Sequence, residues 1–271
     1  MQTELLQELR TAHNRASMVG WDFSELDTQI SSEKPWWEFE QDCLQAWSAA
    51  DHVCDIGTGG GERVLRLIKT THERGAALPH ISATEGWAPN VPVARDNLKD
   101  VGVDVHPYKA EFDDAMPFKD GEFDLVMSRH EAIDAPEVAR VLRPGGRLLT
   151  QQVHSQDGTE LREWFGSAAL YKNVNAETYV QNLEQAGFEI DQVDDWAGTM
   201  RFQNVKALVT YLGFIPWIVP DFEVEKYSHV LQQLNDYDPL TISQRRFRIY
   251  ATKSSEPRLS SRNGNDFSIT W

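Results

Sequence analysis

Val53-Cys54-Asp55-Ile56-Gly57-Thr58-Gly59-Gly60-Gly61-Glu62 is the stretch that decides the fold. It starts as a buried strand, turns on glycines, and opens into the helical pattern Arg63-Val64-Leu65-Arg66-Leu67-Ile68. A strand, a glycine turn and a helix in that order cradle a nucleotide. The glycines let backbone approach a ligand closely, and the helix N-terminus offers unpaired N–H groups. The details then select the ligand. A dinucleotide fold needs G-x-G-x-x-G, but counting from Gly57 and Gly59 the sixth position is Glu62. The phosphate-loop pattern G-x-x-x-x-G-K-[S/T] also fails, because no Lys follows the glycines directly. What remains is Asp55 two positions ahead of G-x-G-x-G. An anion beside the turn repels a pyrophosphate and suits a cationic ligand.

Three further stretches follow in order. Ile81-Ser82-Ala83-Thr84-Glu85 reads as a strand ending in a carboxylate, and Val91-Pro92-Val93-Ala94-Arg95 as a helix with Pro in its first turn. Ala115-Met116-Pro117-Phe118 precedes Asp120-Gly121-Glu122-Phe123-Asp124-Leu125-Val126, a loop and then a strand. Glu137-Val138-Ala139-Arg140-Val141-Leu142-Arg143-Pro144-Gly145-Gly146-Arg147-Leu148-Leu149 reads as helix, turn and strand. These four motifs, spanning residues 51–153, resemble those of the class I S-adenosylmethionine (SAM)-dependent methyltransferases. The match is to the type 11-like domain.

The resemblance implies an α/β fold: a Rossmann-like, seven-stranded, doubly wound sheet with N-terminal helices. A helical lid is expected between the last two strands. It implies SAM as cofactor and assigns residues by motif. Asp55, Gly57, Thr58, Gly59 and Gly61 face the methionine portion, and Glu85 accepts from the ribose hydroxyls. The loop Ala110-Glu111-Phe112-Asp113 is where the family places an acid near the adenine amine and an apolar neighbour on its ring. The spacing departs from the family's, so Glu111, Asp113 and Asp114 all stand as candidates, with Glu111 and Phe112 preferred. Ser128-Arg129-His130-Glu131 ends a parallel strand at the edge where such sheets keep ligands. Ser128 and Arg129 are assigned to the cofactor. His130 is the candidate general base, since an imidazole titrates near neutral pH. Gln151, Gln152 and His154 end the next strand on the same edge.

The division expected along the chain is a helical cap over residues 1–50, an α/β core over 51–197, a lid over 198–243, a last strand over 244–253 and a mobile tail over 254–271. The cap carries Trp21, Trp36, Trp37 and Trp47, with Pro35 opening a helix over Trp36–Trp47. The helix Asn175–Ala186 leads into a strand over Phe188–Val193, and Arg246–Thr252 reads as the last strand. About fifty residues join those strands, too many for an idle loop. They contain candidate helices Val205–Leu212 and Val224–Leu234. Tyr211, Phe214 and Trp217, with Trp196 and Phe202, either line an acceptor pocket or form the lid's own core.

Composition excludes other classes. A hydrophobic fraction of 41% supports a core, and a formal net charge of -16 with no basic stripe argues against a grip on nucleic acid. Cys43 and Cys54 cannot form a disulfide framework or a zinc cage, and no His pair has metal-ligand spacing, so no metal is expected. The N-terminus lacks a signal-peptide core, and the apolar run Val205–Val219 is too short to span a bilayer. A cytoplasmic enzyme methylating a small-molecule acceptor is the expectation. RNA or protein methylation and non-catalytic SAM binding are the alternatives. A nicotinamide-dependent oxidoreductase is disfavoured by Glu62.

Overall fold

The structure is a computed structural model that describes residues 2–16, 23–110, 115–168, 171–237 and 239–255. In chain order the elements are α1 (Gln2–Arg15), β1 (Ile30–Ser32), α2 (Phe39–Trp47), β2 (His52–Ile56), α3 (Glu62–Glu73), β3 (His80–Glu85), α4 (Asn90–Leu98) and β4 (Asp104–Pro107). There follow β5 (Phe123–Arg129), α5 (Ala135–Val141), β6 (Leu142–Val153), α6 (Thr159–Phe165), α7 (Ala176–Gln185), β7 (Phe188–Phe202), α8 (Val205–Phe214), α9 (Ser228–Leu234) and β8 (Leu240–Lys253).

Among the described residues one sheet holds eight strands in the order β1-β7-β8-β6-β5-β2-β3-β4. The β6-β5-β2-β3-β4 half is parallel. β8, β7 and β1 join it antiparallel. β2 is buried at four consecutive positions, as a strand covered on both faces must be. α3 covers one face with Val64, Leu67, Ile68 and Thr71, a stripe at helical spacing. α2 and α4 pack on that same face. α5 and α7 cover the other, with Val138, Val141 and Leu183 fully or nearly fully buried. Each such aliphatic side chain contributes about 1.5–3 kcal/mol by leaving water. Both cysteines lie in the interior, and burial pushes the Cys43 thiol up to about 12, so neither is a ready nucleophile.

The expected seven strands become eight. The additional one, β1, lies in the region read as wholly helical. It pairs Ile30, Ser31 and Ser32 with Phe202, Arg201 and Met200. β7 is long enough to receive it because the β7–β8 ladder runs without a break from Ala197 to Phe202, past the end of β6. The core strand therefore passes residue 197, β8 starts at Leu240 instead of 244, and the inserted helices occupy a shorter segment than 198–243. α2 starts at Phe39, leaving Pro35 and Trp36 before it, and α9 starts at Ser228. α8 runs on to Phe214. The helices α1, α6, α8 and α9 share a third core with Met200, Phe202, Leu240 and Ile242 at the tip of the hairpin. Trp21 and the tail beyond residue 255 lie outside the described residues.

Candidate functional site

The glycine turn leaves β2 at its C-terminal end and runs into α3. Gly57 has φ of 67°, and a Cβ there would stand 2.3 Å from Glu131 Cβ on the turn after β5. Gly61 has φ of 87°, and its Cβ would meet Leu98 of α4 at 2.7 Å. Both positions need the left-handed conformation and the missing side chain at once. Gly61 N–H donates to Thr58 O at 3.0 Å, and Thr58 N–H donates to Thr84 O at 2.9 Å, which ties the turn to β3.

Glu85 closes this arrangement. Its Oε2 accepts from Gly59 N–H at 2.6 Å and its Oε1 from Trp87 N–H at 2.7 Å. The acid is buried, and burial raises its pKa against the pull of those two N–H donors. The sequence-predicted acid and the sequence-predicted turn are thus in direct contact. Asp55 is fully buried behind them and ion-paired to Arg63, the second residue of α3. Burial raises the Asp55 pKa and Arg63 opposes that rise. Arg63 was not singled out from the sequence. The only signal was a long cation on the inner face of α3, and it cancels much of the charge that made Asp55 look like a free anion.

Asp55 Oδ2, Thr58 Oγ1, Arg63 Nη1 and Thr84 Oγ1 are buried without a hydrogen-bond partner among the described residues. Orphaned groups of this kind cost about 1–3 kcal/mol each unless something polar meets them. Their location on the turn, its two flanking strands and the first turn of α3 fits a polar ligand there. A carboxylate at the strand end, close-approach glycines and unspent donors and acceptors are what an amino-acid and ribose moiety needs.

Ser128 and His130 stand beside the turn at the end of β5. Ser128 is buried, and its Oγ donates to Glu131 O at 2.9 Å, so its hydroxyl shapes the turn. Gln152 supports the same turn from β6, donating to Glu131 O at 2.8 Å and to Thr150 Oγ1 at 2.7 Å. His130 has φ of 64°, and its N–H donates to Gln151 O at 2.8 Å. Burial lowers its pKa well below the ordinary imidazole value, helped by the guanidinium groups of Arg246, Arg129 and Arg63. Arg129 ends β5 on the exposed side, and partial desolvation with the field of Arg63 lowers its pKa. His154 sits further along, its Nδ1 accepting from Gln156 N–H at 3.0 Å. Glu111 and Phe112 lie outside the described residues.

Most of the aromatic residues of the insertion pack on one another. Phe202 and Phe214 are buried, and Tyr211 packs against both clusters they belong to. Trp196 packs against the core instead. Trp217 packs on the Phe214 cluster too, and its ring centroid lies 6.5 Å from Trp87, two residues after Glu85. The insertion therefore reaches the loop that follows Glu85. Among the described residues no cluster of three His, Cys, Asp or Glu side chains could hold a metal ion, and no helix is long and apolar enough to cross a membrane.

Comparison with known proteins gives the same family for this part of the chain. Residues 54–150 match the family described as Methyltransferase domain. Methyltransferase GfsG of Streptomyces halstedii is 28% identical over 213 residues, covering 68% of this chain and 73% of that protein. The 27-O-demethylrifamycin SV methyltransferase of Amycolatopsis mediterranei (strain S699) is 28% identical over 200 residues, covering 68% and 70%. Among solved structures, the YcgJ protein of Bacillus subtilis shares the fold with a TM-score of 0.54 at 17% identity, over 80% of this chain and 98% of that one. The glycine turn and the strand-end acid both fall within residues 54–150, the part of the chain that is similar to a SAM-dependent methyltransferase domain.

Proposed function

We propose that the protein transfers a methyl group from SAM to a small-molecule acceptor. The observation that carries the cofactor assignment is the Glu85 carboxylate fastened to Gly59 N–H at 2.6 Å. On this reading Asp55, Gly57, Thr58, Gly59 and Gly61 surround the methionine portion, and Glu85 meets the ribose hydroxyls. Ser128 and Arg129 border the cofactor from β5, and Glu111 with Phe112 are assigned to the adenine by the resemblance alone. When bound, the cofactor supplies a methyl on a sulfonium, which an in-line displacement passes to the acceptor's nucleophile while a neutral thioether leaves. The chain's own residues then contribute alignment and the exclusion of water.

A small acceptor is supported by the second relative, named for methylating a rifamycin, a small molecule. The formal net charge of -16 also disfavours a polyanionic acceptor. Calorimetric titration with SAM and S-adenosylhomocysteine, with NADH as control, tests the cofactor assignment. Wild type should bind both sulfur ligands and not NADH. Glu85→Ala should weaken them tenfold or more, about 1.4 kcal/mol. Unchanged affinity in the variant would remove Glu85 from the site. A turnover screen should then find methylation of small hydroxylated or amino compounds, and exclusive methylation of RNA or protein would overturn the acceptor class.

A further inference from the structure

One chain of hydrogen bonds crosses the sheet edge beside the glycine turn. Trp37 Nε1–H donates to Gln151 Oε1 at 2.7 Å. The Gln151 amide nitrogen lies 3.0 Å from His130 Nε2. Trp37 and Gln151 are both buried, so water does not compete for these groups.

The chemistry of the three side chains fixes the direction of the chain. An indole N–H only donates, so the Gln151 atom facing it must be the carbonyl oxygen. The other end of the same amide is then NH2, which only donates. His130 Nε2 must therefore accept, and an accepting ring nitrogen carries no proton. In a neutral imidazole the proton then sits on Nδ1. The surroundings keep the ring neutral, since burial and the cations Arg246, Arg129 and Arg63 all oppose its charging.

Trp37 cannot easily release the amide. Its ring lies 5.0 Å from the Arg248 guanidinium carbon, which also stands 5.0 Å from the Trp36 ring and 5.1 Å from Tyr250. Arg248 is pinned in turn by Nε to Asp194 Oδ2 at 2.8 Å and Nη1 to Asp42 Oδ2 at 2.6 Å. Gln151 pairs with Arg248 on β8 and Arg129 on β5, so the strands themselves set its position.

We infer that Gln151, aligned by Trp37, is a positioning residue that holds His130 with its proton on Nδ1 and its Nε2 lone pair occupied, so that His130 serves the site as a hydrogen-bond donor and not as the base. The tautomer follows from the geometry alone. Only its use rests on the methyl-transfer reading above. The acceptor class that fits is one whose nucleophile needs no proton taken by His130: an amine, an enolate, or a hydroxyl acidic enough to enter ionised. The cations around His130 favour the ionised oxygen.

The test is two-bond proton–nitrogen correlation NMR on protein labelled with 15N-histidine, with His130 identified by its loss in His130→Asn. In wild type, His130 should be protonated on Nδ1 throughout pH 6 to 8. Trp37→Phe keeps the ring but removes its N–H, which frees the amide to turn. A second population protonated on Nε2 should then appear. Gln151→Glu, whose carboxylate only accepts, should move the proton to Nε2 outright. Wild type protonated on Nε2 would overturn the inference, and so would an unchanged tautomer in Trp37→Phe with a native backbone amide spectrum. If Gln151→Glu fails to fold, Trp37→Phe carries the test by itself. Loss of S-adenosylhomocysteine binding by the wild type would count against the methyltransferase reading and leave this result standing.

Discussion

At the scale of single residues, local sequence marked the glycine turn and the strand-end acid but hid their pairings. Asp55, the glycines and Glu85 were readable because a close-approach turn and a strand-end acid leave a fixed spacing in sequence. Arg63, Trp37 and Arg248 were not, because their partners are remote in sequence and meet only when the sheet and α2 are in place. His130 was readable as a titratable group at the right edge, while its tautomer needed Gln151 and Trp37. Its depressed pKa has a consequence for stability. The folded protein binds fewer protons at His130 than the unfolded chain does once the pH falls below about 6.5. Stability from this group is therefore intact above pH 6.5 and declines as the pH is lowered toward 5. His130→Asn, which tolerates the left-handed backbone, should flatten that decline. Urea unfolding from pH 5 to 7.5 measures it. His13 and His154, also shifted down by burial, leave part of the slope in both proteins, so the difference between them is the readout. Identical slopes would mean that His130 titrates as it does in the unfolded chain.

At the scale of elements, hydrophobic period and capping residues located most helices and strands within a few residues. Asn175 and Asn204 cap α7 and α8 through side-chain oxygens that accept from Thr178 N–H at 2.8 Å and Ala207 N–H at 3.0 Å. β1 escaped notice because three residues carry no usable alternation, and it exists only through its partner β7. The two later motifs have a structural meaning that their spacing alone did not give. Arg140 of α5 donates to Glu137 Oε1 at 2.8 Å, Asp120 Oδ1 at 2.8 Å, Phe118 O at 2.8 Å and Met116 O at 3.0 Å. Glu137 Oε2 also accepts from Met116 N–H at 2.7 Å. This fork clamps the loop before β5 to the helix after it. With Glu137 Oε2 at 2.7 Å the guanidinium meets five acceptor atoms, which the three donors of an ammonium cannot match. Arg140→Lys should cost about 1.5–3 kcal/mol, in line with hydrogen bonds to charged groups. The urea midpoint should fall with the slope unchanged. A midpoint within error of wild type would show that the clamp is solvated away.

At the scale of the whole molecule, the insertion, α1 and the hairpin tip form one body against the edge of the parallel sheet. Lys206 of α8 pairs with Glu8 of α1 at 2.7 Å, and the rings of His13 and Phe222 lie 5.0 Å apart. Trp217 against Trp87 is a contact from that body to the loop that follows Glu85. On the proposed reading of Glu85, ligand binding should therefore be felt in the inserted helices. Hydrogen exchange should show α8 protected by S-adenosylhomocysteine in wild type and much less so in Trp217→Ala, with ligand affinity itself changed little. Equal protection in both would mean that the lid responds by another route or not at all. The sequence by itself determined the parallel α/β core, the glycine turn and its strand-end acid, and a helical insertion before the last strand. Each is written in local pattern: a glycine that must take positive φ, an apolar stripe, a cap. Only the tertiary structure decided the eighth strand, the Asp55–Arg63 pair, the Arg140 clamp and the direction of the Trp37–Gln151–His130 chain. Those depend on which side chains the sheet order brings within hydrogen-bonding distance, and that is a property of the assembled topology, not of any stretch of the chain.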